Sequence, residues 1–300
     1  MWRICIFPFT PLSLIASTKG EPNDYVRVTI SYVLSYLVSQ EVIPNCLVVI
    51  LADNDYYTQA PFATYEYLRS LSRFNSLNKP ISEVQKTGLG SSAALITALT
   101  AALLKFYADI DIATEDGKRI VHNLAQAAHC AAQGKVGSGF DIAAAVYGSC
   151  VYRRFDPAIL ESVLLDSKDA KEFNVQQRYR LAQTVGMVWQ MEINEFQLPP
   201  GLRIVMGDVA AGSSTPSMVR SVLKWKAIGH GAQAVWNALG AANKTLIDRL
   251  NDLREFTVEE IIAELREGMH VVRHTSRPRV YQALCKVTEE FEVFHQYFSD

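Results

Sequence analysis

Apolar and polar residues follow two regular patterns along this chain, one typical of helices and one typical of strands. Residues 25–38 carry apolar residues at mixed spacing that are compatible with a buried helix, and residues 114–133 carry apolar and alanine positions at helical spacing. Residues 91–107 form an alanine- and leucine-rich run with high helix propensity. Residues 46–55 join β-branched residues and leucines to an Asp-Asn-Asp cluster. These patterns predict three helices and a buried strand that ends in a polar turn.

The stretches between these elements are more polar. Residues 56–82 are rich in tyrosine and predict a long surface excursion with one short helix around residues 64–73, which is either a substrate lid or a plain connection. Strands are predicted over residues 148–155 and 187–196. The mixed charges of residues 156–184 predict an irregular surface region.

A Pro-Pro-Gly break at residues 199–201 is the best candidate for a domain boundary. It divides the chain into a predicted domain over residues 1–198 and a second over residues 199–300. Residues 202–226 predict a strand, a turn rich in glycine and hydroxyl groups, and a helix. From Ala232 onward the pattern predicts helices to the end.

Composition and charge narrow the possible partners. With 300 residues, 49% of them hydrophobic, and a net charge of -2, the chain can bury a sizeable core and has no global attraction to nucleic acid or membrane. Its five cysteines form no CxxC pair, so we expect free thiols in the cytosol. Residues 1–17 resemble a secretory signal, but Pro8 and Pro11 interrupt the apolar run. Elsewhere no uncharged apolar run reaches the ~18 residues of a membrane span.

The segment KTGLGSSAAL, which begins at Lys86, combines a sharp turn with a helix start. Gly88 and Gly90 allow the turn, and Ser91 or Ser92 is expected to cap the helix. Free amides in the first turn, with the lysine just upstream, are suited to phosphate oxygens. The segment is neither a Walker motif nor a GxGxxG or GxSxG motif. A plain turn before a helix is the alternative.

Two later segments extend this pattern. Three glycines within residues 134–139 form a tight loop directly before Asp141, although a lone aspartate beside glycines is usually a turn or cap residue. Ser213, Ser214 and Thr215 then open a second helix start that is suited to anions.

Together these segments resemble the GHMP family of small-molecule kinases, named for galactokinase, homoserine kinase, mevalonate kinase and phosphomevalonate kinase. The resemblance rests on KTGLGSSAALITALTAALL, AAHCAAQGKVGSGFDIAAAVYGS and GDVAAGSSTPSMV, with LADNDYY in support, and extends from about Glu21 to about Lys226. It is closest to the fungal-type branch that acts on 5-phosphomevalonate. The implied fold class is α+β: a two-lobed GHMP kinase fold with a left-handed βαβ crossover in the N-terminal lobe, an exception to the usual handedness.

The resemblance implies transfer of the terminal phosphoryl group of ATP to 5-phosphomevalonate, with Mg²⁺, in isoprenoid and sterol synthesis. Lys86 would neutralise the transferred group, and Asp141, which matches the base of mevalonate kinases, would orient Lys86 or the acceptor. The implied residues by role are catalytic Lys86 and Asp141; nucleotide-binding Gly88, Leu89, Gly90, Ser91, Ser92 and Ala93; substrate-binding Lys135, Ser138, Ser213, Ser214 and Thr215; and metal-binding Ser91 and Ser92.

The sequence departs from the family pattern in three places. His129 stands where related mevalonate kinases carry a glutamate ligand of Mg²⁺. The first residues, MWRICIFPFTPLS, and the tail from Arg273 do not resemble the family, so we expect a truncated start and an incomplete second lobe. Two alternatives to an active kinase therefore stand: an inactive paralogue that acts as a binding module, and a GHMP kinase with another acceptor, such as mevalonate or a sugar.

Overall fold

The computed structural model describes residues 2–6, 8–9, 13–14, 23–37, 44, 46–58, 64–74, 84–164, 173–204 and 215–268. These residues form two compact units. Unit 1 contains those up to Phe196, and unit 2 contains those from Gln197 onward. Lys86 and Asp141 therefore belong to unit 1, and Thr215 belongs to unit 2.

Helices form the centre of unit 1. They are α1 (Asp24–Tyr36), α2 (Tyr65–Ser70), α3 (Ser91–Ala108), α4 (Glu115–Gln133), α5 (Phe140–Tyr147), α6 (Ala158–Glu161) and α7 (Val175–Gly186), with a 3₁₀ turn at Asn54–Tyr56. Helices α1, α3 and α4 pack against one another and bury Leu34, Ile96 and Leu124 completely. Asn23 and Thr114 cap α1 and α4 through their side chains. The helices predicted over residues 25–38, 91–107 and 114–133 and within 64–73 are thereby confirmed.

Two helices of unit 1 correct the sequence prediction. An irregular surface region was expected over residues 156–184, but in the described part of this range α7 begins at a capping box formed by Asn174 and Gln177 and buries Leu181 and Val185 in the core. Helix α5 forms between the predicted glycine loop and the strand predicted over residues 148–155, where the sequence pattern did not predict a helix. Both helices are short and expose most of their surface, so only a few core positions reveal the helical period.

The strands of unit 1 form three antiparallel pairs in the described ranges. They are β1 (Trp2–Ile6) with β4 (Cys46–Ile50), β2 (Pro8–Phe9) with β3 (Ser13–Leu14), and β5 (Cys150–Arg153) with β6 (Glu192–Glu195). The strands predicted over residues 46–55, 148–155 and 187–196 are confirmed but shorter. Strand β4 is not fully buried as expected, because Leu47 and Val49 are exposed while the alternate side chains face the core. This alternation is typical of a sheet with one covered face.

Unit 2 consists of helices where it is described. They are α8 (Thr215–Ile228), α9 (Ala232–Leu253) and α10 (Val258–Gly268). These confirm the helices predicted after the turn at 213–215 and from Ala232. Leu250, Leu253 and Ile261 are buried within this unit. Residues 202–204, where the predicted strand would begin, form no strand, and residues 205–214 lie outside the described residues.

Helix α3 is long and apolar enough, by length and composition alone, to cross a membrane. Its positions Ile96, Leu99 and Leu104 are buried in unit 1, where α3 packs against α1, α4 and α5. A core helix passes the same test, and this packing accounts for its apolar composition. The thiols of Cys46, Cys130 and Cys150 are free, as expected.

Candidate active site

The turn before α3 has the backbone conformation that the sequence predicted. Gly88 and Gly90 have φ values of 81° and 72°, in the left-handed region that glycine adopts without strain. Gly90 is the N-cap residue of α3, and no side chain caps the helix. The expectation that Ser91 or Ser92 caps it is therefore wrong, because glycine fills the cap position and Ser91 is already the first helical residue. The first-turn amides lack a side-chain cap and retain the partial positive charge of a helix start.

A cavity of about 500 Å³ opens between the starts of α3 and α5. This volume is within the range typical of small-molecule sites. Its lining combines the glycine turn, one carboxylate and several apolar side chains: Tyr56, Gly88, Leu89, Gly90, Ala94, Phe140, Asp141, Ala144 and Ala145. Two predicted features that are 51 or more positions apart, the glycine turn and Asp141, thus share one space.

Asp141 lies in the first turn of α5, and the preceding glycine loop determines its position. Gly139, the N-cap residue, has a φ of 84°, and a Cβ atom there would lie 2.8 Å from the Tyr152 hydroxyl and 2.9 Å from Gln126 Oε1. Only glycine fits this position without a shift of the buried neighbours. Oδ1 of Asp141 accepts a hydrogen bond from the amide of Ile142 at 2.9 Å. One carboxylate oxygen is therefore held by the helix itself.

His129, on α4, lies close to residues in the first turns of both α3 and α5. Its side chain is nearly completely buried on α4. Nε2 lies 2.9 Å from Gln133 Nε2 and 3.2 Å from Ser92 Oγ, and Nδ1 lies 3.8 Å from Asp141 Oδ2. Burial lowers the pKa of His129; Asp141 opposes this shift, and Lys135 adds to it. The imidazole is therefore neutral at neutral pH.

A β-bridge positions Lys86 near Tyr25 and the glycine turn. The lysine pairs with Tyr57 just before the glycine turn, and its Nζ lies 5.7 Å from the centre of the Tyr25 ring. The residue is exposed, but partial burial of the amine lowers its pKa. Tyr25 in turn lies 6.0 Å from His129, ring centre to ring centre. Lys86 and Asp141 are thus linked through Tyr25 and His129.

The other predicted residues differ in their placement. Leu89 lines the cavity, and Ala93 is buried in α3. Lys135 and Ser138 are exposed on the loop between α4 and α5. Thr215 begins α8 in unit 2, whereas Ser213 and Ser214 lie outside the described residues. The structure therefore brings Gly88, Leu89 and Gly90 together with Asp141 in one cavity, and the roles assigned to all of the site residues stay predictions.

A magnesium ion would find a limited set of donors here. The described part of the chain contains no cluster of three histidine, cysteine or acidic side chains. Mg²⁺ in phosphate sites commonly takes one or two carboxylates together with substrate oxygens and water, so the single carboxylate of Asp141 is compatible with it. Of the two predicted hydroxyl ligands, Ser91 begins α3, and Ser92 Oγ lies 3.2 Å from His129 Nε2.

Three side chains near the cavity were missed by the sequence interpretation: Tyr25, Tyr56 and Gln133. Gln133 had a usable signal, since it lies four residues after His129 and therefore on the same face of α4. Tyr56 belongs to the LADNDYY segment that supported the family resemblance, but its cavity contact depends on the tertiary fold. For Tyr25 no local signal exists, because α1 reaches the site only through helix packing.

Comparison with known proteins identifies the domain that contains this cavity. Residues 64–149 match the family model for the N-terminal domain of GHMP kinases, and this range includes Lys86, the glycine turn, His129 and Asp141. The chain carries a GHMP kinase N-terminal domain. The family resemblance read from the sequence is confirmed, and the α+β class agrees with the mixed helices and small sheets of unit 1.

Several curated relatives extend the similarity beyond the GHMP kinase domain. The chain is 39% identical to phosphomevalonate kinase erg8 of Aspergillus fumigatus, over 91% of this chain and 60% of the relative. It is 40% identical to phosphomevalonate kinase ERG8 of Gibberella zeae, over 85% and 57% respectively. It is 33% identical to the peroxisomal phosphomevalonate kinase of Arabidopsis thaliana, over 89% and 58%. The chain thus spans less than two thirds of the length of each of these relatives. No solved structure matches it.

Proposed function

We propose that this chain is an ATP-dependent kinase that transfers the terminal phosphoryl group to 5-phosphomevalonate and releases diphosphomevalonate and ADP. The observation that carries the proposal is the cavity of the GHMP kinase domain, which is lined by both the glycine turn and the Asp141 carboxylate. The activity named for the relatives supports the choice of acceptor.

Electrostatic repulsion is the main physical obstacle to this reaction. A phosphate monoester carries about −1.5 to −2 charges at neutral pH and must approach the polyanionic nucleotide. Catalysis therefore depends on positioning and on fixed positive potential more than on a strong nucleophile. The amides of the first turn of α3 would hold the nucleotide phosphates, and Lys86 would neutralise the transferred group.

Asp141 has a different task here from that of a base acting on a hydroxyl. The acceptor oxygen is already largely ionised, so little proton removal is needed. We assign Asp141 to orienting the acceptor or Lys86. When bound, Mg²⁺ would neutralise phosphate charge, with Asp141 and Ser91 as its protein ligands and Ser92 as the further hydroxyl predicted from the sequence.

Further proposals concern the acceptor-binding residues, the two lobes and the location of the chain in the cell. Acceptor binding is proposed for Lys135, Ser138, Ser213, Ser214 and Thr215. We further propose that residues 1–198 form the nucleotide-binding lobe with the left-handed βαβ crossover, that residues 199–300 belong to the second lobe, and that the chain works in the cytoplasm. A peroxisomal location is named for the Arabidopsis relative.

Acceptor-dependent release of ADP tests the proposal. The purified chain is incubated with ATP, Mg²⁺ and, in separate reactions, 5-phosphomevalonate, mevalonate or a hexose. We expect ADP release only with 5-phosphomevalonate. Lys86→Met should lower kcat by about 100-fold, since it removes a charge that stabilises the transition state.

Lys118→Met is the matched control. Lys118 lies in the same unit and forms a surface ion pair with Glu115 at 2.8 Å, away from the cavity lining. We expect this variant to retain the wild-type kcat. ADP release with mevalonate or a hexose, and none with 5-phosphomevalonate, would show that the kinase acts on another acceptor. Binding of ATP without turnover on any acceptor would support the inactive binding module instead.

A further inference from the structure

A single imidazole connects the three helices that build the cavity. His129 belongs to α4, Ser92 to the first turn of α3, and Asp141 to the first turn of α5. Only 3% of the residue surface of His129 is exposed, so water does not compete for its ring nitrogens. Each nitrogen faces a different functional element.

The hydrogen-bond partners of Nε2 determine which nitrogen carries the proton. The amide nitrogen of Gln133 can only donate, and it lies 2.9 Å from Nε2. Nε2 must therefore accept, and the proton of the neutral ring lies on Nδ1. Nδ1 lies 3.8 Å from Asp141 Oδ2, which is near the carboxylate but longer than a hydrogen bond.

The same argument makes the hydrogen bond of the Ser92 hydroxyl to Nε2 the weaker of the two contacts. A ring nitrogen has one lone pair, and the shorter of its two contacts belongs to Gln133, since Ser92 Oγ lies at 3.2 Å. The Ser92 hydroxyl is thus the second donor on an occupied acceptor. It can turn toward a phosphate oxygen without leaving a buried group unpaired.

We infer that His129 is a positioning residue of the kinase site: its ring faces the Asp141 carboxylate through Nδ1 and restricts where that carboxylate can lie, while Gln133 occupies Nε2 and leaves the Ser92 hydroxyl free to turn toward a nucleotide phosphate. The inference rests on the proposed function. The Ile142 amide binds Oδ1 of the carboxylate at 2.9 Å, and the imidazole borders Oδ2 at 3.8 Å. Loss of the Nδ1–H should therefore lower kcat and change the KM for ATP little.

Three substitutions at position 129 separate positioning from packing. His129→Asn keeps an amide N–H near the place of Nδ1, His129→Gln keeps a polar group near the place of Nε2, and His129→Leu keeps only volume. We expect kcat to fall about 10- to 100-fold in the leucine and glutamine variants and about 5-fold or less in the asparagine variant. The KM for ATP should stay within about threefold in all of them.

His122→Phe is the matched control, because His122 is equally buried on the same helix but packs against the rings of Tyr147, Phe155 and Trp189 instead of Ser92 and Asp141. We expect it to lower thermal stability but to leave kcat unchanged. Wild-type kcat in all three variants at position 129 would overturn the inference and leave the proposed function intact. Parallel losses of kcat, ATP affinity and melting temperature in all three would also overturn it, since they indicate packing alone.

A spectroscopic measurement tests the tautomer independently of turnover. Long-range ¹H–¹⁵N spectra of the histidine side chains in the full-length chain, assigned by the loss of one signal in His129→Gln, should show Nδ1 protonated. In Gln133→Leu, the Nε2–H form should appear, with a drop in kcat. An Nε2–H tautomer in the wild-type chain would refute the inference. Absence of all kinase activity beside an Nδ1–H tautomer would refute the proposed function and with it the positioning role of His129, while confirming which ring nitrogen carries the proton.

Discussion

Acid should destabilise unit 1 through one buried histidine outside the cavity. His122 is fully buried among the rings of Tyr147, Phe155 and Trp189, and its Nδ1 lies 3.0 Å from Asn123 Oδ1. Nε2 has no hydrogen-bond partner in the described part of the chain. A proton added there would create an unpaired charge in an apolar environment. Burial accordingly lowers the pKa of His122 to about 4, although the contact with Asn123 opposes the shift.

The magnitude follows from proton linkage. In the unfolded chain the pKa of histidine is about 6.5, so between that value and about 4 the unfolded state binds a proton that the folded state does not. The contribution is complete above pH 6.5 and is lost as the pH falls toward 4. At about 1.4 kcal/mol per pKa unit, the full loss is about 3 kcal/mol, of which about 2 kcal/mol is lost by pH 5.

Urea unfolding of the wild-type chain and of His122→Phe at about pH 7.5 and about pH 5 measures this term. Trp189 fluorescence reports on the same cluster. The phenylalanine keeps a ring of similar volume and cannot titrate, so the contributions of other groups cancel in the comparison. We expect the wild-type free energy of unfolding to fall by about 2 kcal/mol more than that of the variant. Equal pH dependence in both proteins would refute the argument.

Three further predictions concern Gly139, Asp141 and Asn174. Gly139→Ala should lower the free energy of unfolding by about 2–4 kcal/mol, because the new Cβ would approach the Tyr152 hydroxyl to 2.8 Å at a positive φ; a change below about 1 kcal/mol in urea titrations would contradict this. Asp141→Asn should lower kcat at least about 100-fold at all pH values, and recovery above the second pKa of the acceptor, about 6, would instead identify Asp141 as a base. Asn174→Ala should lower stability by about 1 kcal/mol, because it removes the cap that binds the Gln177 amide at 2.9 Å; an unchanged melting temperature would argue against the capping box.

Local patterns were sufficient to predict much of unit 1. The helical spacing in residues 114–133 depends on neighbours three and four positions apart, and α4 forms there; α1 forms in the apolar run of residues 25–38. Gly88 and Gly90 adopt the left-handed angles expected of them, since such turns depend on a few consecutive residues. The capping box at Asn174 and Gln177 is also a local sequence pattern, and it would have predicted α7.

Features that depend on distant contacts were predicted less well. The hydroxyl of Ser92 does not cap α3, because it lies against His129, which is 37 positions away in the sequence. The exposure of Leu47 and Val49 depends on which faces of β4 are covered, and an apolar run alone does not reveal this. The role of Gln133 becomes visible only when α3, α4 and α5 are packed together.

The most direct test of the central claim is ³¹P NMR of a mixture of the chain, Mg²⁺, ATP and 5-phosphomevalonate. This spectrum separates phosphoryl transfer from hydrolysis, because a new diphosphate ester and free phosphate give different signals. We predict that ADP and the two coupled resonances of diphosphomevalonate appear together in equal amounts, and that Lys86→Met slows both about 100-fold. Release of inorganic phosphate without a diphosphate ester, or an unchanged spectrum beside demonstrated ATP binding, would contradict the proposed kinase activity.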